Sequence, residues 1–164
     1  MRRRKPDPAA AAAPDDQQAA RLAALRLLNR RDYGARELAE RLVARGFARA
    51  AAAAAVGGLA REKLLDDDRF ALHFVAYHAN RGQGPVKIAH RLREAGVAPD
   101  TIAAAVDAGA PDWRRRCASL RQRRFGAKPP ATWAERGKQA RFLTQRGFNA
   151  DQVRAAVGRQ VDED

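Results

Sequence analysis

Apolar residues recur along this chain at the three- and four-residue spacing of amphipathic helices. Leu22, Leu25 and Leu28 form one apolar stripe, and Leu38 and Leu42 form the next. No run of alternating β-branched residues indicates a strand. Glycine, proline and aspartate mark the breaks between the periodic stretches. The pattern predicts an all-α protein.

This pattern repeats with a period of about 50 residues. RDYGARELAERLVARGF at 31–47 aligns without a gap on RGQGPVKIAHRLREAGV at 81–97, and LTQRGF at 143–148 aligns on LVARGF at 42–47. In each copy a glycine stands where a middle helix needs a left-handed C-terminal cap, and a valine follows ten residues later: Gly46 and Val56, Gly96 and Val106, Gly147 and Val157. We predict three tandem three-helix repeats at 15–63, 64–111 and 112–160, between a disordered basic tail at 1–14 and an acidic end at 161–164.

Gly82-Gln83-Gly84 raises the question of a phosphate-binding loop. Gly84 aligns with Gly34 at the start of a middle helix, and Pro85 takes the first helical position, which suits its fixed backbone angle. A phosphate cradle needs free backbone N–H groups, which proline lacks, and no Lys-Ser or Lys-Thr pair follows at P-loop spacing. We therefore interpret the two glycines as a turn, and we expect no cofactor.

The net charge of +13 and the pI of about 11.3 favour a polyanionic partner, which is nucleic acid, an anionic membrane surface or an acidic protein surface. A general preference of the organism for arginine and alanine is the alternative explanation. Cys117 is the only cysteine, so an internal disulfide is excluded and the reducing cytoplasm is expected. No apolar run approaches the ~20 residues that a membrane span needs.

The residue types that usually carry catalysis or hold metals form no convincing set. The carboxylates of Asp66–Asp68 would point in different directions on a helix, so we interpret them as the cap and first turn of the helix that begins there. His73, His78 and His90 lack the spacing of a metal-binding pair. No nucleophile stands in a Ser-His-Asp or Cys-His context. We predict no catalytic residue, no metal site and a non-enzymatic protein, with Cys117 buried or half-buried.

The few aromatic residues leave two interpretations open. Phe70, Phe74 and Tyr77 are spaced as i, i+4 and i+7, which is typical of a core stripe and is what we expect. The alternative is a platform on which nucleic-acid bases stack. Trp113 and Trp133 flank the arginine-rich segment of the third repeat, where we expect them to pack between helices, with a partner contact by one of them as the alternative.

The strongest functional signal is a cluster of basic residues in the third repeat. Residues 111–147 contain eleven basic and two acidic side chains, a net charge of +9. On a helix, Arg114, Arg121 and Arg124 would share one face, and Arg116 and Arg123 another. Guanidinium groups suit phosphates and carboxylates because their planar fork donates two hydrogen bonds at once. The predicted DNA- or filament-binding set is Arg81, Lys87, Arg91, Arg93, Arg114, Arg115, Arg121, Arg123, Arg124, Lys128, Arg141 and Arg146.

Arg31, Arg36 and Arg41 add to this charge in the first repeat. For any one of these arginines, a solvated helix face is an equal alternative to a binding role. The clustering of all of them is what favours salt-sensitive binding to DNA or to a nucleoprotein filament.

LLDDDRFA at 64–71, RGQGP with Ile88, FG at 125–126 and RFLTQRGF at 141–148 together resemble the RecX family, whose members regulate the bacterial recombinase RecA. The resemblance spans about residues 16–160 in matching order and spacing. It implies three tandem helical repeats in an elongated, curved arrangement. It also implies binding within the groove of the RecA–DNA filament, where such proteins restrain strand exchange, ATP hydrolysis and coprotease activity.

Three features depart from the family's pattern. The middle helix of the third repeat lacks a glycine at its start and carries Ala134-Glu135 there. Gly34 stands where the family often has serine, and glycine is a weaker but acceptable helix cap. The polar Gln139 stands in the third repeat at the position of the apolar Leu38 and Ile88.

We therefore expect a cytoplasmic, monomeric regulator that acts in DNA repair, recombination and the SOS response. Its expected partners are the RecA filament and single-stranded DNA, with duplex DNA as an open alternative. The competing hypothesis is a helix-turn-helix-like protein that acts on duplex DNA, because each repeat contains such geometry and the charge suits a duplex. Sequence-specific binding to duplex DNA alone would distinguish the second hypothesis from the first.

Overall fold

The computed structural model describes residues 16–109 and 112–158. Within these residues the chain forms nine α-helices and no strand, as the apolar spacing predicts. The predicted tail at 1–14 and the acidic end at 161–164 lie outside the described residues. The helices are α1 (Gln17–Leu28), α2 (Ala35–Val43), α3 (Arg49–Arg61), α4 (Asp67–Asn80), α5 (Pro85–Glu94), α6 (Pro99–Gly109), α7 (Trp113–Phe125), α8 (Trp133–Gln145) and α9 (Ala150–Val157).

The glycine caps predicted from the repeat are confirmed. Gly46, Gly96 and Gly147 have φ angles of +99°, +82° and +93°, in the left-handed region that a side chain with a Cβ disfavours. Each of the three follows a middle helix of the repeat, namely α2, α5 or α8.

Contacts divide the chain into two compact units that cut across the repeats. The first contains the described residues up to 70 together with 95–97, and the second contains 71–94 and the described residues from 98 onward. The first unit takes in the start of α4 because Asp67 Oδ1 accepts a hydrogen bond from the backbone N–H of Ala35, at 2.8 Å. A Cβ at Gly34 would lie 3.3 Å from the ring of Phe70, so the start of α4 also packs against the start of α2.

The core of the first unit is built mainly from alanine and leucine. Ala20 and Ala24 of α1 are fully buried, so α1 and α3 pack through small side chains. Leu38, Leu42 and Leu59 are also fully buried, and each contributes about 1.5–3 kcal/mol to the hydrophobic stabilisation. This agrees with the low aromatic content of the chain.

The second unit buries one apolar stripe from each of its helices. Val75, Ile88 and Leu92 are fully buried in the region of α4 and α5. Cys117 and Leu143 are fully buried where α7, α8 and α9 meet. Capping boxes begin α8 and α9, with Thr132 paired to Glu135 and Asn149 paired to Gln152.

Gly84 is required by the close approach of two backbone segments of the second unit. Its N–H donates to the carbonyl oxygen of Arg146 at 2.8 Å, and the N–H of Val86 donates to that of Gly147 at 3.0 Å. A Cβ at Gly84 would lie 2.3 Å from the carbonyl carbon of Gly147, far inside contact distance. The interpretation as a turn is confirmed, because the N–H groups that a phosphate would need are already bound. Those of Gly82 and Gln83 donate to carbonyl oxygens at the end of α4, and those of Gly84 and Val86 donate to carbonyl oxygens of the turn after α8.

Candidate nucleic-acid interface

α7 carries six arginines on two kinds of surface. The helix begins at Asp112, whose Oδ1 accepts a hydrogen bond from the N–H of Arg115 at 2.9 Å. It ends before Gly126, which has a φ of +92°. Cys117 and Leu120 face the core. Of the six arginines, Arg121 is buried and Arg116 is half-buried, and the other four are exposed.

Arg121 lies on the core face and is only 5% exposed. Its guanidinium donates to the carbonyl oxygens of Lys128 at 3.0 Å and Ala127 at 3.3 Å, and to Gln139 Oε1 at 3.4 Å. The prediction that Arg121 belongs to the binding surface is therefore wrong. Its spacing from Cys117 on the helix turns it inward, where it holds the loop between α7 and α8.

The other eleven residues of the predicted set reach the surface of the second unit. Nine are exposed, and Arg91 and Arg146 are half-buried. Within the described part of that unit, none of the eleven forms an ion pair with a carboxylate. We call this group the unpaired cations: Arg81, Lys87, Arg91, Arg93, Arg114, Arg115, Arg123, Arg124, Lys128, Arg141 and Arg146.

The arginines of the first unit are more often neutralised by carboxylates. Arg21 pairs with Glu62 at 2.6 Å, and Arg36 pairs with Glu40 at 3.0 Å. Arg31 Nη2 lies 2.5 Å from Glu37 Oε1, and the hydrogen bond with that carboxylate raises the pKa of Arg31. Binding of a polyanion is thus favoured at the second unit, where the eleven unpaired cations have no carboxylate partner among the described residues.

Two of the unpaired cations flank an aromatic pair between α7 and α8. The rings of Phe125 and Phe142 meet edge to face with centroids 5.4 Å apart. The guanidinium carbons of Arg124 and Arg146 lie 5.7 Å and 5.4 Å from these two rings, respectively. Such contacts orient a guanidinium group without neutralising its charge.

The aromatic stripe of α4 belongs only partly to the core. Phe70 is 5% exposed, as expected, but Tyr77 is 56% exposed, so the core interpretation is wrong for Tyr77. Arg81 Nη1 donates to the Tyr77 hydroxyl at 2.9 Å, and its guanidinium carbon lies 5.1 Å from the ring centroid. Arg91 lies 5.4 Å from the ring of the half-buried Phe74. The stripe therefore ends in an exposed tyrosine that an arginine holds in place.

The surroundings of His78 favour the neutral form of its imidazole. Partial burial lowers its pKa, and the positive charges of Arg91 and Arg81 lower it further. Arg91 Nη1 lies 3.2 Å from His78 Nδ1, and because a guanidinium only donates, Nδ1 must be the accepting nitrogen. His78 is thus a hydrogen-bond acceptor for Arg91 and adds no positive charge of its own.

The two tryptophans differ in their surroundings. Trp113 is half-buried, and its indole N–H donates to the carbonyl oxygen of Val106 at 3.2 Å, so the packing interpretation is confirmed for it. Trp133 is 77% exposed at the start of α8, so the packing interpretation is wrong there. Its position at the helix N-terminus places the indole outside the core that α7, α8 and α9 share.

A cleft of about 370 Å³ opens in the second unit between the end of α4 and α7. Arg115, Arg116, Ser119 and Arg123 line it from α7, opposite Asn80. Arg116 Nη1 donates to Asn80 Oδ1 at 3.2 Å. Arg116 is absent from the predicted binding set, although its spacing from Ser119 and Arg123 puts the three on one helix face. That spacing is the signal which would have identified it.

The acidic triplet caps two helices. Asp66 Oδ1 accepts a hydrogen bond from the N–H of Arg69 at 2.9 Å, which confirms a cap at the start of α4. Asp67 instead caps α2, through Ala35. Among the described residues, no group of three or more His, Cys, Asp or Glu side chains is placed to hold a metal ion. Cys117 is buried as expected, and burial raises the pKa of its thiol to about 12.

No described helix is both long enough and apolar enough to cross a membrane. The chain is similar to known proteins over most of its length. Three family models match in order: the first three-helix domain of RecX over residues 20–59, the second over 66–106 and the third over 114–157.

Curated relatives named Regulatory protein RecX match most of the chain, and two of them illustrate the similarity. The chain is 48% identical to the one from Halorhodospira halophila over 146 residues, which covers 89% of this chain and 90% of that protein. It is 43% identical to the one from Chromohalobacter salexigens over 134 residues, which covers 82% of this chain and 88% of that protein.

The fold is similar to that of two crystal structures. The structure of RecX from Lactobacillus salivarius superposes with a TM-score of 0.73 at 20% identity, over 88% of this chain and 96% of that one. A crystal structure of a regulatory protein RecX superposes with a TM-score of 0.72 at 24% identity, over 96% of this chain and 80% of that one.

Proposed function

Since the chain belongs to the RecX family, we propose that it is a regulatory protein that binds nucleoprotein filaments of the recombinase RecA and restrains them. The restrained activities are strand exchange, ATP hydrolysis and coprotease activity, in DNA repair, recombination and the SOS response. The relatives' name, Regulatory protein RecX, supports a regulatory role.

One observation supports this mode of binding. Within the described part of the second unit, none of the eleven unpaired cations has a carboxylate partner. A cation with a carboxylate beside it gains less from a phosphate, because the carboxylate repels the phosphate and offsets the attraction of the cation. The unpaired cations can instead release counterions from DNA, or pair with acidic groups of the recombinase. We assign DNA or filament contacts to them and to Arg116, and none to Arg121.

The protein acts without chemistry of its own in this proposal. It would bind as a cytoplasmic monomer and change the activity of the filament by occupying it. Single-stranded DNA inside the filament is the expected nucleic-acid contact, with duplex DNA as the alternative.

The test is the rate of ATP hydrolysis by a RecA filament on single-stranded DNA, with increasing amounts of this protein. We expect a dose-dependent fall, with no ATP hydrolysis by the protein alone. The variant Arg115→Gln with Arg123→Gln should need more protein for the same fall, because it loses two unpaired cations on α7. Arg36→Gln is the matched control, since that arginine is already paired with Glu40.

An unchanged hydrolysis rate, at concentrations where the protein binds bare DNA, would contradict the proposal. Sequence-specific binding to duplex DNA in the same experiments would favour a helix-turn-helix-like DNA-binding protein instead.

A further inference from the structure

The second unit places an exposed aromatic ring one helical turn from a cleft lined by guanidinium groups. We propose that these two features form one site for single-stranded DNA, in which Arg115, Arg116 and Arg123 contact phosphates and Tyr77 stacks on an unpaired base. This inference rests on the proposed function, because it specifies the nucleic-acid contact of the same surface.

The cleft has the chemistry of a phosphate site. Three guanidinium groups line it, with the hydroxyl of Ser119 as a further donor. The carboxylate of Asp112 also lines it, but that group already accepts the hydrogen bond that caps α7. The cleft therefore carries a net positive charge next to the N-terminal end of α7, which favours anions.

Arg116 is held in position before any ligand binds. Its Nη1 donates to Asn80 Oδ1 at 3.2 Å, and this bond joins α7 to the last residue of α4. An amide oxygen orients the guanidinium and leaves its charge intact, unlike a carboxylate. The remaining N–H groups of Arg116 are free for a phosphate, because a guanidinium has five donors.

Tyr77 has the properties of a stacking platform. It is 56% exposed, which is unusual for an aromatic residue that belongs to a stripe of apolar spacing. The hydrogen bond from Arg81 at 2.9 Å fixes its hydroxyl, and His78 meets its ring edge-on with centroids 5.0 Å apart. A ring held this way loses little conformational entropy when a base stacks on it.

Helix geometry joins the two features. Tyr77 and Asn80 are three residues apart on α4, so they lie on neighbouring turns of one face, about 5 Å apart along the axis. A strand whose phosphates occupy the cleft can thus lay a neighbouring base on Tyr77. The bases of a duplex already stack on each other, so a ring on the surface can stack only on an unpaired base. The site should therefore prefer single strands.

The test is fluorescence anisotropy at low salt with three labelled probes: a short oligothymidylate, an abasic strand of the same length, and a duplex. We expect Tyr77→Ala to weaken binding of the oligothymidylate about fivefold or more, and to leave binding of the abasic strand unchanged. Tyr77→Phe keeps the ring and should stay within about twofold of the wild type. Leu72→Ala, which removes an exposed apolar side chain of the same helix, is the matched control.

Arg116→Gln should weaken binding of the oligothymidylate and of the abasic strand alike, because both carry phosphates. Circular dichroism and thermal unfolding of each variant verify that it folds. The inference is wrong if the wild type does not bind the oligothymidylate, if Tyr77→Ala binds it as well as the wild type does, or if Tyr77→Ala weakens both probes equally. The probes contain no recombinase. If these binding experiments contradict the Tyr77 site while the protein still inhibits RecA, the proposed function is unaffected.

Discussion

Arg121 Nη1 lies 3.4 Å from Gln139 Oε1, and both side chains are buried. With Gln152, which caps α9, they are the buried polar side chains among the described residues of the third repeat. Gln139 stands where the first two repeats have Leu38 and Ile88, and Arg121 stands beside Cys117 on the core face of α7. Arg121 donates a hydrogen bond and Gln139 accepts it, so each buried polar side chain has a partner in the other.

Replacing Arg121 should destabilise the protein rather than weaken its binding surface. Arg121→Met removes the donors for Gln139 and for the carbonyl groups of Ala127 and Lys128, so we expect the free energy of unfolding to fall by about 2–3 kcal/mol. Urea denaturation measures this change. Arg124→Met, on the exposed side of the same helix, is the control and should change it by less than ~0.5 kcal/mol.

The double variant Arg121→Met with Gln139→Leu tests the pairing itself. It restores the apolar pattern of the other repeats, so it should recover about 1 kcal/mol relative to Arg121→Met alone. Equal losses from Arg121→Met and Arg124→Met would show that the buried contacts of Arg121 are unimportant.

Gly84 and Gly34 occupy equivalent repeat positions but should respond differently to alanine. A Cβ at Gly84 would lie 2.3 Å from backbone atoms of Gly147, whereas a Cβ at Gly34 would lie 3.3 Å from a ring atom of Phe70. We expect Gly84→Ala to lower the free energy of unfolding by about 2 kcal/mol or more, and Gly34→Ala by less than ~1 kcal/mol. Thermal or urea unfolding of the two variants compares them directly, and a smaller loss at Gly84 would contradict this account of its role.

The affinity for DNA should fall steeply as salt is raised. Each phosphate contact of the unpaired cations contributes about 0.7 to the slope of log K against log salt for a single strand. Arg115→Gln with Arg123→Gln should reduce this slope by about 1.4, from the loss of two such contacts. Arg36→Gln should leave it unchanged, because Glu40 neutralises that arginine. An affinity that does not depend on salt would refute the electrostatic mode of binding.

His78 should make the protein less stable in mild acid. Burial, Arg91 and Arg81 hold the folded-state pKa of His78 below its ordinary value of 6.5, so the unfolded chain takes up a proton first as the pH falls. The contribution of neutral His78 to the free energy of unfolding is therefore fully present above pH 6.5 and is lost as the pH falls below 6.5. Urea unfolding between pH ~8 and pH ~5 should show a smaller decline for His78→Gln than for the wild type. Identical declines would mean that His78 is not responsible.

Local patterns in the sequence determined the helices and their ends. The 3.6-residue period of apolar side chains depends only on which residues share a helix face, so the all-α fold follows from it. Gly46, Gly96 and Gly147 were predictable as caps because a left-handed φ is a local requirement that glycine meets best. The cap at Asp66 is likewise a contact over three residues.

Contacts between distant residues decided what the local patterns left open. Arg121 and Arg124 are three residues apart on one helix, and only the position of Gln139 and the α7–α8 loop makes the first a buried donor and the second an exposed cation. Asp67 caps a helix that begins 32 residues earlier. Tyr77 continues an apolar stripe in the sequence, but no core packs over it, so it remains exposed. Burial and hydrogen-bond partners depend on which elements meet in three dimensions, and spacing along one helix does not specify this.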